Sequence, residues 1–310
     1  MPTIHPTAQV SSKAKIADNV EIGAYSVIGD DVTIGSGCKI NNHCTILGPS
    51  TIGENNLFFP YAAIGTAPQD ISYTDEPTKL KIGNNNVFRE FVTVNRATLK
   101  EFGQTLIGNN CFLMAYSHIA HDCILGDNVI IANGVQLGGH VRLGNYASLG
   151  GLAGVHHFVT IGEHSFIAGM ARVLKDIPPF MMADGRPARV RAVNTIGLGR
   201  RGFSTEQVRA IKETHKLIWR SEYTTIQALK ILEENITTPP EKLPADTPKI
   251  LYALAAKEQI ARLIEFIKNS QRVPQGRGLE ANRKIPARPN NPDGPAPSPT
   301  ETDDEVELVN

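Results

Sequence analysis

The stretch NVEIGAYSVIGDDVTIGSGCKINNHCTILGPSTIG, residues 19–53, places an isoleucine at every sixth position: Ile22, Ile28, Ile34, Ile40, Ile46 and Ile52. The same phase extends back through Ile16, Val10 and Ile4 and forward to Phe58 and Ile64. It resumes at Ile82, Phe88 and Val94 and then, after an offset, runs through Ile107, Leu113, Ile119, Leu125, Ile131, Leu137, Leu143, Leu149, Val155, Ile161, Ile167 and Val173. A period of six fits neither a helix of roughly 3.6 residues per turn nor a strand alternating every two residues. It fits a parallel β-helix, in which short strands joined by turns form three faces of a prism with the aliphatic side chain pointing inward. Three hexapeptides close one coil, so residues about 18 apart are stacked neighbours separated by about 4.8 Å.

Glycine often follows the aliphatic residue, as at Gly23, Gly35, Gly108 and Gly144, and all four cysteines (Cys38, Cys44, Cys111, Cys123) lie four residues after one. Small side chains packed at an inner corner explain the cysteines. No CxxC pair or zinc-finger spacing supports a disulfide framework or a cysteine metal site. Two segments break the phase, Thr66 to Leu80 and Ala97 to Thr105, and a solenoid extrudes such insertions as loops, where function concentrates. After Val173 the repeat stops at DIPPF (176–180), whose paired prolines cannot join a ladder. The fold expected is mainly β: a parallel β-helix over residues 1–190 with extruded loops near 66–80 and 97–105, then a small α-helical segment over 191–269. Capping boxes at Ser204 with Gln207 and Thr224 with Gln227 open two of its helices, the first burying Val208, Ile211, His215, Ile218 and Trp219. Leu251–Ile267 reads as a further amphipathic helix. Residues 270–310, rich in proline, asparagine and charge, are expected to be disordered.

Composition narrows the function. The 310 residues carry 31 Lys plus Arg against 31 Asp plus Glu, which argues against a general nucleic-acid or anionic-membrane binder. MPTIHPTAQV at the start lacks the charged region and apolar core of a signal peptide, and no run of about 18 apolar residues offers a membrane span. A cytoplasmic protein without membrane insertion is expected.

His118, His121, His140, His156 and His157 fall within about two coils. One coil beyond His121 lies Gly139 beside His140, and two coils beyond lies His157 beside His156, so these imidazoles should line one side of the prism as a groove. His121 is followed by Asp122, a carboxylate able to orient it, which makes it the best general base: a neutral imidazole can take a proton from a hydroxyl as that hydroxyl attacks a thioester, with no covalent intermediate. Gly138 and Gly139 offer backbone N–H groups for an oxyanion. Arg186, Arg189, Arg191, Arg200, Arg201 and Arg209 cluster late and suit phosphate or an acidic carrier surface. No cofactor and no metal are needed.

HIAHDC (118–123), LGGHV (137–141), GVHHF (154–158), PQD (68–70), DIPPF and GLGRRGFS (197–204) together resemble the UDP-N-acetylglucosamine O-acyltransferase family, the first step of lipid A synthesis, over roughly residues 1–268. The resemblance implies a left-handed coil, and transfer of an (R)-3-hydroxyacyl group from acyl carrier protein to the 3-hydroxyl of UDP-N-acetylglucosamine. It implies His121 as base, Asp122 as its support and Gly139 as the oxyanion donor. His118, His140 and His156, with His157 beside them, would shape the groove, while Gln69 and Asp70 would hold the sugar. Asn194, Arg200 and Arg201 match positions that meet the nucleotide diphosphate or the carrier, and Gly169 and Met170 match the region that measures acyl length. A homotrimer is implied, with sites between subunits, which puts the first loop and the histidine rows on facing chains.

Three positions depart from the family pattern: Ser72 stands where lysine is common, His157 where glutamine is usual and Ile196 where an acid is usual. They leave open a variant acceptor with a 3-amino group, which would give an amide. Two other classes compete. A zinc hydratase on the same fold would need three converging imidazoles, and a noncatalytic scaffold would give the His121–Asp122 pair no role.

Overall fold

The computed structural model describes residues 1–270, so the tail expected to be disordered lies, from residue 271 on, outside the described residues. Short strands, most of two residues, assemble into sheets of eleven, nine and eight strands, and within the repeats each strand pairs in parallel with the third one along the chain. This is a left-handed parallel β-helix. The register follows the six-residue period: Ile4 pairs with Ile22, Ile28 with Ile46 and Ile34 with Ile52. Across the interruptions the ladder resumes without loss, Ile52 pairing with Ile82 and Val94 with Ile119. The extra residues leave as excursions over 67–78 and 96–103.

The aliphatic positions fill the prism. From Ile22 to Val173 they are at most 5% exposed, and Phe58 stacks on Phe88 at 4.7 Å between ring centroids. Gly35 is required by the coil spacing, because a Cβ there would lie 2.7 Å from the carbonyl carbon of Gly53. The cysteines are reduced and buried. Burial pushes the Cys111 thiol up to about 11 and that of Cys123 up to about 12, and each thiol donates to a backbone carbonyl one coil on, Cys123 Sγ to Gly138 at 3.2 Å.

A hairpin of Met181–Gly185 and Ala188–Val193 ends the eleven-stranded sheet, which therefore runs to Val193, past the expected boundary at 190. Four helices follow: α1 (Thr195–Arg200), α2 (Thr205–Trp219), α3 (Thr225–Thr237) and α4 (Lys257–Ser270). Both capping boxes form, Ser204 with Gln207 and Thr224 with Gln227. On α2, Ile211, His215 and Ile218 are buried, while Val208 and Trp219 pack at the margin of the core. Helix α4 starts at Lys257 rather than Leu251, because Tyr252 adopts a left-handed backbone (φ 62°) that breaks the helical path. Arg262 of α4 reaches back to both carboxylate oxygens of Glu163 at 2.9 Å, tying the helices to the solenoid. No helix among the described residues is long and apolar enough to cross a membrane.

His215 is stacked on Trp219 with its Nε2 buried and without a hydrogen-bond partner. Burial, aided by Arg220, lowers its pKa to about 4. The unfolded chain therefore binds the extra proton first, so stability is whole above about pH 6.5 and drains as pH falls toward 4. Thermal denaturation of wild type and His215→Phe at pH 7 and pH 4.5 should show the variant losing less on acidification, by at most about 3 kcal/mol.

Candidate active site

The two excursions and the HIAHDC motif occupy successive layers of a single corner of the prism. Residues 67–78 and 96–103 each connect the nine-stranded sheet to the eight-stranded one, and the next coil places Ala120–Cys123 at that turn. One layer further come Gly138–Val141, then His156–Val159. Both loops therefore fold directly onto His121.

His121 is 7% exposed and Asp122 2%. His121 Nδ1 lies 2.9 Å from Asp122 Oδ2, an arrangement that leaves Nε2 facing outward with its lone pair free when Nδ1 carries the proton. Asp122 Oδ2 also accepts the Thr98 N–H at 3.0 Å and its hydroxyl at 2.7 Å, and the Asp122 N–H donates to Thr105 Oγ1 at 2.9 Å. Burial alone would raise the Asp122 carboxyl, but the hydrogen bonds from His121 and Thr98 outweigh it and hold the group below its ordinary value. The carboxylate is thus charged, fixed and inaccessible, the qualities needed to orient an imidazole.

The first loop brings Asp70 Oδ2 to 4.0 Å from His121 Nε2 within one chain, which corrects the expectation that loop and histidine rows belong to facing subunits. The loop leaves from the corner directly beneath HIAHDC, so no partner is needed to close that distance. Asp70 Oδ1 accepts from the Ser72 N–H and hydroxyl at 2.9 and 2.8 Å, and Oδ2 from Lys100 at 2.6 Å. Lys100 first, then Ser72, hold the Asp70 carboxyl far below the usual carboxylate range. Beside them His140, 3% exposed, stacks on Phe158 at 4.3 Å and meets His121 edge-on at 5.2 Å. Glu101 Oε1 approaches His140 Nδ1 to 3.7 Å, while Oε2 pairs with Arg142 at 3.2 Å. Burial lowers the His140 pKa against the pull of Asp122 and Glu101.

A groove of about 390 Å³ opens over the nine-stranded sheet, lined by Gln69, His118, His121, Gly138, His156 and His157 among others. Four of the five histidines expected there line it, but His140 does not: its ring turns to Phe158 and lines a separate cavity with Glu101, Phe102 and Arg142. His118 lies 2.7 Å, Nδ1 to Oγ1, from Thr93, and burial lowers its pKa. Gly139 differs from expectation: its N–H donates to His157 Nδ1 at 2.9 Å, so in this conformation it is not open to an oxyanion. Its lack of a side chain has another cause, since a Cβ there would sit 2.5 Å from His121 Cε1.

Asn194, Arg200 and Arg201 lie elsewhere. With Tyr146, Ile130 and Ser148 they line a cavity of about 780 Å³ over the eleven-stranded sheet, a different face of the prism. Asn194 caps α1, its Oδ1 accepting from Gly197 N at 3.1 Å and its Nδ2 donating to His164 O at 2.9 Å. The Arg201 guanidinium lies 4.6 Å over the Tyr146 ring. Gly169 and Met170 are exposed at the corner between the eleven- and nine-stranded sheets.

Residues 13–48 and 104–139 match the bacterial transferase hexapeptide model of six repeats, and residues 176–275 match the model described as domain 2 of UDP-N-acetylglucosamine O-acyltransferase. The acyl-[acyl-carrier-protein]–UDP-N-acetylglucosamine O-acyltransferase of Thermodesulfovibrio yellowstonii is 42% identical over 272 residues, covering 88% of this chain and 98% of that one. The chain belongs to the UDP-N-acetylglucosamine O-acyltransferase family. The enzyme of that name from Janthinobacterium is 45% identical over the same shares of both chains. Among solved structures, the Francisella novicida UDP-N-acetylglucosamine acyltransferase superposes with a TM-score of 0.78 at 36% identity, covering 88% of this chain and 93% of that one.

For an acyltransferase of this family the sequence reading missed four residues: Thr98, Lys100, Glu101 and Thr105. Their signal was positional, since the insertion that carries them precedes HIAHDC by one coil at the same corner. His121, Asp122 and His140 have ligand atoms within 4.8 Å of one another. That set offers two imidazoles rather than the three a zinc hydratase would want, and Asp122 Oδ2 is already engaged by His121 and twice by Thr98. Gly139→Ala should displace the His121 ring and lower stability by about 1–3 kcal/mol, as overpacking does. Gly154→Ala, where a Cβ meets nothing within 4 Å, should be close to neutral, and differential scanning calorimetry of the two variants checks the contrast.

Proposed function

We propose that this acyltransferase moves an (R)-3-hydroxyacyl group from the thioester of acyl carrier protein to the 3-hydroxyl of UDP-N-acetylglucosamine, in lipid A biosynthesis, with His121 as general base. The observation that carries the mechanism is the buried contact of His121 Nδ1 with Asp122, which leaves Nε2 facing Asp70 and the groove. Nε2 takes the hydroxyl proton as the sugar oxygen attacks the thioester carbonyl, and Asp122 stabilises the imidazolium. When the tetrahedral adduct collapses, the imidazolium returns the proton to the departing thiolate. No acyl-enzyme is needed, and the buried cysteines, whose pKa values burial raises, supply no nucleophile to form one. Gly139 becomes the oxyanion donor when the entering substrate turns the His157 ring away from its N–H. Gln69 and Asp70 hold the sugar, His118, His156 and His157 wall the groove, and His140 supports the His121 ring from behind it.

A homotrimer brings the halves of this site together. Arg200 and Arg201 lie on one face of the prism and His121 opens on another, so one chain cannot offer both to one sugar nucleotide. The corner joining those two faces carries an exposed ladder of stacked rings, Tyr25, His43, Tyr61, Phe91 and Tyr116, with centroids 4.8 to 5.2 Å apart, followed by exposed Leu152 and Met170. So long an apolar seam suits a subunit interface. A three-fold axis along it sets the arginine face of one chain against the histidine face of the next, a head-to-tail contact that closes as a ring. Asn194, Arg200 and Arg201 of one subunit then meet the diphosphate of a sugar seated on its neighbour's His121, and Gly169 and Met170 border the acyl chain.

Purified protein should transfer 3-hydroxyacyl chains from acyl carrier protein to UDP-N-acetylglucosamine, and His121→Ala should lose at least about a hundredfold in kcat. No product from wild type at any chain length would sink the reading. Mixing and reassembling inactive His121→Ala with inactive Arg200→Ala/Arg201→Ala should restore measurable activity through mixed trimers. Failure to complement would place the whole site within one chain.

A further inference from the structure

The second extruded loop supplies no group to the chemistry above, yet its side chains reach the carboxylates and an imidazole that flank it. Thr98 binds Asp122 twice, Lys100 pairs with Asp70 at 2.6 Å, and Glu101 approaches His140. We propose that Lys100 is a positioning residue for the acceptor side of the site: with Ser72 it holds the Asp70 carboxylate facing His121 Nε2, and so fixes where the acceptor hydroxyl sits. The proposal rests on the reading of His121 as base and Asp70 as sugar ligand.

Asp70 sits in an excursion of irregular backbone, and its two oxygens are held differently. Oδ1 is bound by Ser72, two residues along the same loop, a contact that travels with the loop. Asn95 and Arg96 anchor the loop elsewhere, through Thr66, Ala67, Gly65 and Tyr73. Lys100 is the hydrogen-bond donor that ties the carboxylate itself to another segment. That donor is registered to the catalytic pair, because the Lys100 N–H donates to Thr98 Oγ1 at 3.2 Å and the Thr98 hydroxyl donates to Asp122 Oδ2. The sequence Asp122, Thr98, Lys100, Asp70 therefore links the carboxylates on the two sides of one imidazole.

Charge makes the same case. A second carboxylate brought next to His121 without its own counter-charge would compete with Asp122 for the imidazolium. Lys100 supplies that counter-charge, and Asp70 stays 4.0 Å from Nε2, beyond hydrogen-bond range and at a spacing that admits a substrate hydroxyl. Lys100 is half exposed, so the pair adds little to stability. Its effect is on geometry.

Steady-state kinetics on four variants test this. Lys100→Met should raise KM for the sugar nucleotide roughly tenfold while leaving KM for the acyl donor within about twofold, and Lys100→Arg should return to within about threefold of wild type. In an Asp70→Asn background Lys100→Met should add no further loss. An unchanged sugar-nucleotide KM, or an undiminished loss in the Asp70→Asn background, overturns the proposal. If wild type itself proves inactive, the functional reading falls, and crystal structures of wild type and Lys100→Met decide the positioning alone: an Asp70 carboxylate that leaves His121 in the variant supports it, and one that stays overturns it.

Discussion

Parallel pairing at a fixed offset between coils is the constraint on which everything else in this molecule hangs. Each two-residue strand is too short to persist alone, and it is held by backbone hydrogen bonds to the coils before and after it, together with one inward aliphatic side chain per face. The offset is so strongly specified that residues lost from phase must be expelled rather than absorbed. Ile82 pairs with Ile107 as Ile34 pairs with Ile52, although the first pair spans an insertion. A fold that cannot tolerate a slipped register makes long excursions inexpensive at its corners and prohibitive elsewhere.

That rule explains why the site stands where it does. Both excursions emerge at the corner that, two coils after the first and one after the second, turns at His121 and Asp122. A corner residue in the solenoid is ordinarily exposed, and the left-handed backbone at Asp122, His140 and Phe158 presents such side chains outward. The loops bury two of them again. Thr98, with His121, supplies the hydrogen bonds that a carboxylate taken out of water requires, and they allow Asp122 to be charged at 2% exposure, while Thr105 accepts from the Asp122 N–H and fixes its backbone. The rigid solenoid fixes His121, and the irregular loops supply the polar surroundings that a regular repeat lacks.

What could be read from the sequence follows the same division. The β-helix was legible because every coil obeys one period, and the histidine groove because registry in a solenoid is arithmetic: His121, Gly139 and His157 are successive multiples of one coil. The helix starts at Ser204 and Thr224 were legible because a capping box is local chemistry. The loop contacts were not legible, since an excursion has no period and nothing in LKEF announces which carboxylate Lys100 will meet. The surroundings of Gly139 were not legible for a related reason. Its place one coil beyond His121 says nothing of the imidazole that fills the space a Cβ would take, nor of His157, which holds its N–H in this conformation. The contacts by which Asn194 caps α1 and binds His164 were likewise hidden, because they join segments far apart in the chain.

Ser72 and Lys100 divide the Asp70 carboxylate between them. Two residues after the loop aspartate this chain has a serine, and a serine can satisfy one carboxylate oxygen but cannot neutralise its charge. The charge is neutralised from the other loop. Because both loops leave the same corner one coil apart, their tips converge on the same space, and a carboxylate on one takes its counter-charge from the other without any change in the solenoid. Loop composition at this corner is therefore under a joint constraint: the two excursions must be read together, as a pair whose charges close on each other, and neither sequence segment alone states whether the acceptor side of the groove carries a free carboxylate or a compensated one.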